Sequence, residues 1–324
     1  MSVNKIVTKV DGTINKTIDF NDLKAGLAAG SHTITVEAWN GAALISTQTK
    51  NITIAAVATF EAETTSLMNA IATPNDGTAT IYTGVTGSQL WTLVNNLISG
   101  LKTNNLLAKL FYYHLFLGGT ALTQKYNLKD TTAFPLTWYG GWVHDNKGAL
   151  GNGANTYADT GFVASANKDV NSNGLSIVIG TDNVPQQTNV IEMGAHNSGT
   201  QSSTIIIRDN NSERLFKARM NGSNVDALNY DARGVYTAVR IDSTTSLTIK
   251  NSVEKSSWNS GGTLPTINTF IGNISFQTND PYVPGYSNQR FQGALEHAGL
   301  TLTETQTLHS LIDTFEAGLG RKTW

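Results

Sequence analysis

The chain has 324 residues, which is more than one small core needs, so two or three folding units are expected. Charged residues make up only 14% of the chain and the formal net charge is -2, so most of its polarity comes from Thr, Ser, Asn and Gly. This balance, without any cluster of Lys or Arg, argues against nucleic acid as a partner. The absence of cysteine excludes disulfides, thiolate nucleophiles and zinc–thiolate sites.

The start of the chain, Met1 to Val10, lacks the apolar core of a secretion signal. No apolar run in the sequence is long enough to span a bilayer. We therefore expect a protein that is made in the cytoplasm without a signal peptide and does not insert into a membrane.

Residues 1–57 have the alternation of a small β module. Asn4 to Phe20 alternates apolar and polar residues around Asp11-Gly12, a dipeptide that supplies the positive φ of a two-residue hairpin turn. A second hairpin is predicted around Asn40-Gly41. The stretch Leu27 to Trp39 resembles the closing strands of immunoglobulin-like and fibronectin type III-like modules.

A helical period replaces the alternation in residues 58–106. Apolar residues recur at i, i+3, i+4, i+7, i+8 and i+11, with Ser88 available as the N-cap, and a shorter helix is predicted between Phe60 and Ile71. We interpret this segment as a connector or neck, and its apolar stripe as the surface through which protomers associate. The residues of the apolar stripe are Leu90, Leu93, Val94, Leu97, Ile98 and Leu101.

From residue 107 onward, short β segments alternate with Gly, Asn and Asp turns, as in a β-sandwich. The last element is a helix with Leu308, Ile312 and Phe315 on one face, preceded by a Thr303-x-x-Gln306 capping box. We expect this helix to dock on the sandwich. The predicted fold class is mainly β, with a small N-terminal β module, a helical connector and a C-terminal β-sandwich over residues 107–324.

Four motifs in this last region carry a family resemblance. They are Leu110-Phe-Tyr-Tyr-His-Leu-Phe-Leu-Gly-Gly-Thr120, Lys125-Tyr-Asn-Leu-Lys-Asp130, Trp138-Tyr-Gly-Gly-Trp142 and Gly151-Asn-Gly-Ala-Asn-Thr-Tyr-Ala-Asp-Thr160. As an ordered set they resemble a domain that recurs in bacteriophage structural proteins. That domain looks like a variant of the concanavalin A-like, or laminin-G-like, jelly roll, and the resemblance covers residues 107–324.

The resemblance implies a subunit of a head or tail fibre or spike on the virion surface. Its N-terminal module would attach to capsid or tail proteins, while the sandwich would face outward and bind host-surface glycans through many weak parallel contacts. Family analogy favours a homotrimer, and a dimer stays open. Two other functions also stay open: an architectural decoration protein that binds no ligand, and a polysaccharide depolymerase.

The sequence gives no sign of catalytic machinery, so we expect a non-enzymatic protein. Glycoside hydrolases need two carboxylates on one strand face, and the Glu-x-Asp-x-Glu triplet usual on this fold does not occur. The six histidines are scattered without metal-ligand spacing, and no glycine-rich phosphate loop follows a predicted strand. No catalytic residue, metal ion or cofactor is therefore expected.

Sugar binding requires exposed aromatic faces with amides or carboxylates nearby. Two predicted loops offer this combination, and the glycan-binding candidates in them are Trp258, Asn279, Asp280, Tyr282, Tyr286 and Arg290. Aromatic residues with Arg also mark protein interfaces, so subunit or packing contacts are the alternative interpretation of both loops. Trp138, Tyr139 and Trp142 are expected in the core or in an interface.

Overall fold

The computed structural model describes residues 60–72, 87–185, 190–209, 214–259, 261–276 and 285–324, together with the backbone of residues 5–10, 13–19, 30–40 and 43–54. The chain divides into two compact units, Met1–Thr59 and Phe60–Trp324. Among the described residues, no helix combines the length and the apolar character needed to cross a bilayer.

The first unit contains two antiparallel hairpins. Strand β1 (Lys5–Val10) pairs with β2 (Thr13–Asp19), and β3 (Gly30–Asn40) pairs with β4 (Ala43–Ile54). Both hairpins lie where the alternating pattern predicts them. Asp11, Gly12 and Gly41 of the predicted turns lie outside the described residues.

The second unit contains the remaining elements. Its helices are α1 (Ala62–Ala72), α2 (Gly87–Thr103), a 3-10 helix (Leu107–Lys109), α3 (Ala121–Gln124), α4 (Ala164–Asn167) and α5 (Leu302–Gly318). Its strands are β5 (Leu110–His114), β6 (Thr137–Tyr139), β7 (Val143–Asp145), β8 (Gly148–Leu150), β9 (Tyr157–Val163), β10 (Asn173–Ile179), β11 (Met193–Ser198), β12 (Gln201–Ile206), β13 (Leu215–Met220), β14 (Ser223–Leu228), β15 (Gly234–Arg240), β16 (Ser246–Lys250), β17 (Val253–Trp258), β18 (Asn268–Ile271), β19 (Ser275–Phe276) and β20 (Arg290–His297).

These strands form two sheets that pack face to face. The first sheet has the order β17-β16-β15-β10-β20-β8-β7, and β5 also pairs with β20. The second has the order β14-β13-β12-β11-β18-β9-β6, and β19 runs parallel to β11 beside β18. The mainly β fold with a C-terminal β-sandwich and a terminal helix is thereby confirmed.

Every second side chain along a strand points into the space between the sheets and fills it. On β13, Phe216, Ala218 and Met220 face the other sheet, so Lys217 and Arg219 face outward. Strand β10 is buried along its whole length because both of its faces are covered. Its residue Ile177 lies between the sheets and Val178 lies in a second apolar layer.

This second layer lies between the first sheet and the helices. Val178, Val239 and Leu295 of the sheet pack in one cluster with residues of α1, α2 and α5. Helices α2 and α5 approach each other closely at two glycines: a Cβ on Gly100 would lie 2.5 Å from Leu311 Cδ2, and one on Gly318 would lie 2.4 Å from Leu93 Cδ2. The helices are therefore part of the same compact unit as the sandwich.

This packing corrects the interpretation of the apolar stripe as an association surface. Its residues Val94, Leu97, Ile98 and Leu101 are buried inside the chain, and Leu90 and Leu93 pack against the same cluster. A helix whose apolar face is covered by its own sheet has no such face left for a second protomer. The helix begins at Gly87, one residue before the predicted cap.

Helix α5 docks on the sandwich as predicted, but its cap differs from the predicted one. Thr301 is the N-cap: its hydroxyl accepts from Glu304 N at 3.2 Å, and Glu304 Oε2 accepts from Thr301 N at 3.0 Å. After the helix, the buried Arg321 pairs with Glu316 at 2.6 Å and donates to the carbonyl oxygen of Phe116. These bonds tie the C-terminal segment to the sandwich.

Candidate functional site

Three aromatic rings form a row on the outer face of the second sheet. Because Ala158 of β9 faces the core between the sheets, Tyr157 faces outward. The Tyr157 ring stacks on Tyr139 of β6, with 4.6 Å between ring centroids and 10° between planes. On its other side it stacks on Phe270 of β18, at 4.8 Å and 24°. We call Tyr139, Tyr157 and Phe270 the aromatic ladder.

The register of the strands builds the ladder. Tyr139 lies directly opposite Tyr157, whereas Phe270 lies opposite Asp159 and therefore diagonal to Tyr157. Side chains that face the same way at such positions have Cβ atoms close enough for their rings to meet. Three strands that are not consecutive in the sequence thus contribute one ring each.

Two tryptophans support the ladder from behind. The indole N–H of Trp138 donates to the Ala121 carbonyl at 3.0 Å, and that of Trp142 donates to the Tyr157 carbonyl at 3.1 Å. Their rings pack edge to face, with centroids 5.3 Å apart. Both side chains are half-buried, so they fix the backbone of β6 and β9 rather than extend the exposed row.

Tyr139 lies at one end of the row, because β6 is the last strand of its sheet. One face of its ring stacks on Tyr157, so the other face, which we call its outer face, points away from β9. Tyr139 is 43% exposed, so of the two places expected for it, the core and an interface, the core is excluded.

A fixed carboxylate lies beside the rings. Asp159 faces outward two residues from Tyr157, and both of its oxygens accept from Asn268 Nδ2 at 3.1 Å. Its Oδ1 also accepts from Gly161 N at 2.8 Å. Since a carboxylate offers about four acceptor positions, these three bonds leave about one for a ligand.

Tyr286 lies close enough to affect the Tyr157 phenol electrostatically. Burial raises the pKa of the Tyr157 phenol above its ordinary value, and the neighbouring Tyr139, Tyr286 and Asp159 raise it further. The phenol therefore stays protonated at neutral pH and can donate a hydrogen bond. The next residue, Ser287, is anchored: its N–H donates to the Gly272 carbonyl at 2.9 Å.

A buried acid also holds this segment. Ser287 Oγ donates to Glu192 Oε1 at 3.2 Å, while Glu192 Oε2 accepts from Ile207 N at 2.9 Å. Burial raises the pKa of Glu192 to about 8, so its carboxyl is largely protonated at neutral pH. Because Glu192 is fully buried, we assign it a structural role in positioning residues 285–289.

The other predicted glycan residues do not gather at one site. Asn279, Asp280 and Tyr282 lie outside the described residues. Arg290 lies on β20, where it pairs with Asp145 at 2.6 Å. Trp258 lies on β17, with β16, β15 and β10 between it and β20, and it packs against the core between the sheets. Of the six candidates, Tyr286 alone is found at the ladder in the part of the chain that the structure describes.

Three further buried or half-buried ionisable groups have partners inside the second unit. Lys168 and Glu296 form an ion pair inside the sandwich, each about 1% exposed, and Thr269 Oγ1 donates to Glu296 at 2.9 Å. His144 Nδ1 lies 2.7 Å from Gln124 Oε1, and burial lowers the pKa of His144 to about 4. The described residues contain no group of three or more His, Asp or Glu placed to hold a metal ion.

Comparison with known proteins gives a likeness of fold alone. No protein-family model matches this sequence, and no curated protein matches it. Similar solved structures include domain 4 of AbnA, a GH43 extracellular arabinanase from Geobacillus stearothermophilus, in complex with arabinotriose. It is 12% identical with a TM-score of 0.45, and the match covers 62% of this chain and 98% of that chain.

In two further similar structures, the match covers only part of the known chain. Trypanosoma rangeli sialidase is 15% identical with a TM-score of 0.46, covering 69% of this chain and 39% of the sialidase. The binding domain of botulinum neurotoxin serotype D is 7% identical with a TM-score of 0.43, covering 63% of this chain and 52% of that domain. This chain therefore spans about two fifths of the sialidase and half of the toxin domain.

These structures correct one expectation from the sequence. The absence of a Glu-x-Asp-x-Glu triplet predicts a non-enzymatic protein, yet one domain of a GH43 arabinanase and sialidases are among the chains that this fold resembles. The exclusion of enzymes therefore does not stand. At this level of similarity the matches describe the fold and assign no reaction.

Proposed function

We propose that the second unit recognises carbohydrate and that its ligand docks on the aromatic ladder. The observation that carries the proposal is the exposed Tyr139 at the end of a stacked row of rings, with the fixed carboxylate of Asp159 on the neighbouring strand. Sugar rings carry a face of C–H groups that stacks on aromatic rings, and hydroxyls that bond to carboxylates and phenols.

Two neighbouring sugars of one oligosaccharide can use this arrangement. The C–H face of the first lies on the outer face of Tyr139, and the second lies over the edges of the ladder, where a sugar hydroxyl donates to the remaining acceptor position of Asp159 and the protonated Tyr157 phenol donates to another sugar oxygen. Because each sugar makes only a few contacts, a single site binds weakly. Useful affinity then requires several copies binding together.

A surface-exposed assembly would supply those copies. We propose that the protein is a subunit of a bacteriophage head or tail fibre or spike that binds host-surface glycans, with its N-terminal unit attached to capsid or tail proteins. The motifs between residues 110 and 160 and the composition rich in Thr, Ser and Asn support this placement. A trimer or dimer would have to use a surface other than the buried apolar stripe.

A glycan array with the labelled full-length chain tests the proposal. We expect binding to a set of oligosaccharides and a loss of about tenfold in Tyr139→Ala, equal to about 1.4 kcal/mol. Tyr230→Ala is the matched control, because Tyr230 is also exposed but lies outside the ladder. Equal binding by the two variants, or no binding by the unmodified chain, would overturn the proposal. Reducing-end release from a bound polysaccharide would identify a depolymerase.

A further inference from the structure

We propose that the aromatic ladder selects uncharged sugars and amino sugars, and discriminates against sugars that carry a carboxylate, such as sialic or uronic acids. This inference rests on the proposed function and names the ligand class of that site. It depends on the charges around the ladder.

Asp159 is the acidic side chain beside the ladder. Among the described residues, its hydrogen-bond donors are the side-chain amide of Asn268 and the backbone N–H of Gly161. Both donors are neutral, so they orient the carboxylate without cancelling its charge. A ligand carboxylate near the ladder would face this negative charge directly.

Asp159 also acts on the Tyr157 phenol. Its carboxylate disfavours a negative charge at the Tyr157 oxygen, in addition to the effect of burial. The same carboxylate would disfavour a ligand carboxylate placed there.

The basic side chains of β13 lie on the same sheet face as the ladder but far from it. Lys217 and Arg219 of β13 face outward, but four strand positions separate β13 from β9, which is roughly 19 Å. Lys217 also pairs with Asp209 at 2.8 Å. At physiological ionic strength this distance is about twice the Debye length, so these cations do little for a ligand at the ladder. Arg290 is held by Asp145 on the other sheet.

The test compares matched glycans that differ in one charged sugar. The full-length chain is titrated with a neutral galactose-terminated oligosaccharide and with its sialylated form, and then with a neutral glucan oligomer and its uronic acid counterpart. We expect the neutral member of each pair to bind about five- to tenfold more tightly, with a difference that shrinks as salt is added.

Asp159→Asn separates charge from shape. The amide keeps the size of the side chain and one acceptor oxygen, so we expect tighter binding of the anionic glycans relative to the neutral ones. Asp226→Asn is the matched control, because Asp226 pairs with Lys217 in register on β14, at the other edge of the same sheet face. It should leave the ratio unchanged.

The outcomes separate the two proposals. If no glycan of either pair binds, the proposed function fails. If anionic glycans bind as tightly as neutral ones, or if Asp159→Asn changes both alike, this inference fails while carbohydrate recognition stands.

Discussion

The two sheets of the second unit differ in what covers their outer faces. On the first sheet, outward residues such as Val178 and Val239 lie under α2 and α5. On the second sheet, the aromatic ladder and Asp159 lie outside the core between the sheets, and Tyr139 is open to solvent. The outward residues of the two sheets therefore differ in role. Those of the first sheet form an apolar layer that stabilises the fold, and those of the second sheet are available to bind a ligand.

Polar groups on the covered face of the first sheet bond to one another rather than to solvent. Ser176 Oγ lies 2.7 Å from Thr237 Oγ1 and 2.9 Å from His297 Nε2, and Thr237 Oγ1 lies 2.8 Å from His309 Nε2. This chain of hydrogen bonds is buried between sheet and helix. Burial lowers the pKa of both histidines to about 3, so the covered face depends on neutral imidazoles, whereas the ladder presents a charged carboxylate.

The largest expected effect follows from these histidines. Their pKa in the folded chain lies below the unfolded value of about 6.5, so their contribution is present above pH 6.5 and is lost as the pH falls toward 3. We expect the free energy of unfolding of the second unit to fall by several kcal/mol, on the order of 5 per histidine at the acid limit. Urea titrations at pH 7, 5 and 4 measure this loss. A denaturation midpoint that does not change with pH would contradict the burial of neutral histidines.

The next prediction concerns the apolar stripe. Ile98→Ala should cost about 2–5 kcal/mol of stability, because Ile98 is fully buried under the first sheet. Tyr230→Ala, at an exposed position, should change stability by less than about 0.5 kcal/mol. Urea unfolding with light scattering on the same samples distinguishes the interpretations. If Ile98→Ala changed the oligomeric state and left stability intact, the stripe would be an interface between protomers.

A third prediction connects stability with the recognition face. The pKa of Glu192 is raised to about 8, so its contribution is present below pH 4.5 and declines as the pH rises to about 8. Relative to Glu192→Gln, the unmodified chain should lose about 2–3 kcal/mol between pH 6 and pH 8. Parallel stability curves for the two proteins would show that Glu192 is not buried as a neutral acid.

The smallest effect separates stacking from hydrogen bonding at the ladder. Tyr157→Phe keeps the ring between Tyr139 and Phe270 but removes the phenol, so glycan binding should weaken by about three- to tenfold. Tyr230→Phe serves as the control. Calorimetric titration with one oligosaccharide measures both, and unchanged affinity would mean that the Tyr157 hydroxyl does not contact the ligand.

The sequence pattern predicts where helices occur better than it predicts what their apolar faces pack against. Helical spacing identifies the apolar face of α2, but periodicity does not reveal whether that face meets another protomer or the chain's own sheet. In the same way, Thr301-x-x-Glu304 and Thr303-x-x-Gln306 both satisfy the capping-box pattern, and only the start of the helix at Leu302 separates them.

The ladder was not predicted because its residues are isolated in the sequence. Tyr139, Tyr157 and Phe270 each occupy one outward position on a different strand, and only the pairing register brings them together. The alternation in Tyr157-Ala158-Asp159-Thr160 did contain a signal that Tyr157 and Asp159 share the outer face. Local composition does point to Tyr286, which affects the Tyr157 phenol electrostatically, and its role in glycan binding stays a prediction.

The most direct test of the central claim is a crystal structure of the full-length chain with a neutral oligosaccharide that it binds. We expect one sugar ring stacked on the outer face of Tyr139 and a hydroxyl of the neighbouring sugar bonded to Asp159. A ligand bound instead at Trp258, on the opposite edge of the sandwich, with the ladder left empty, would contradict it.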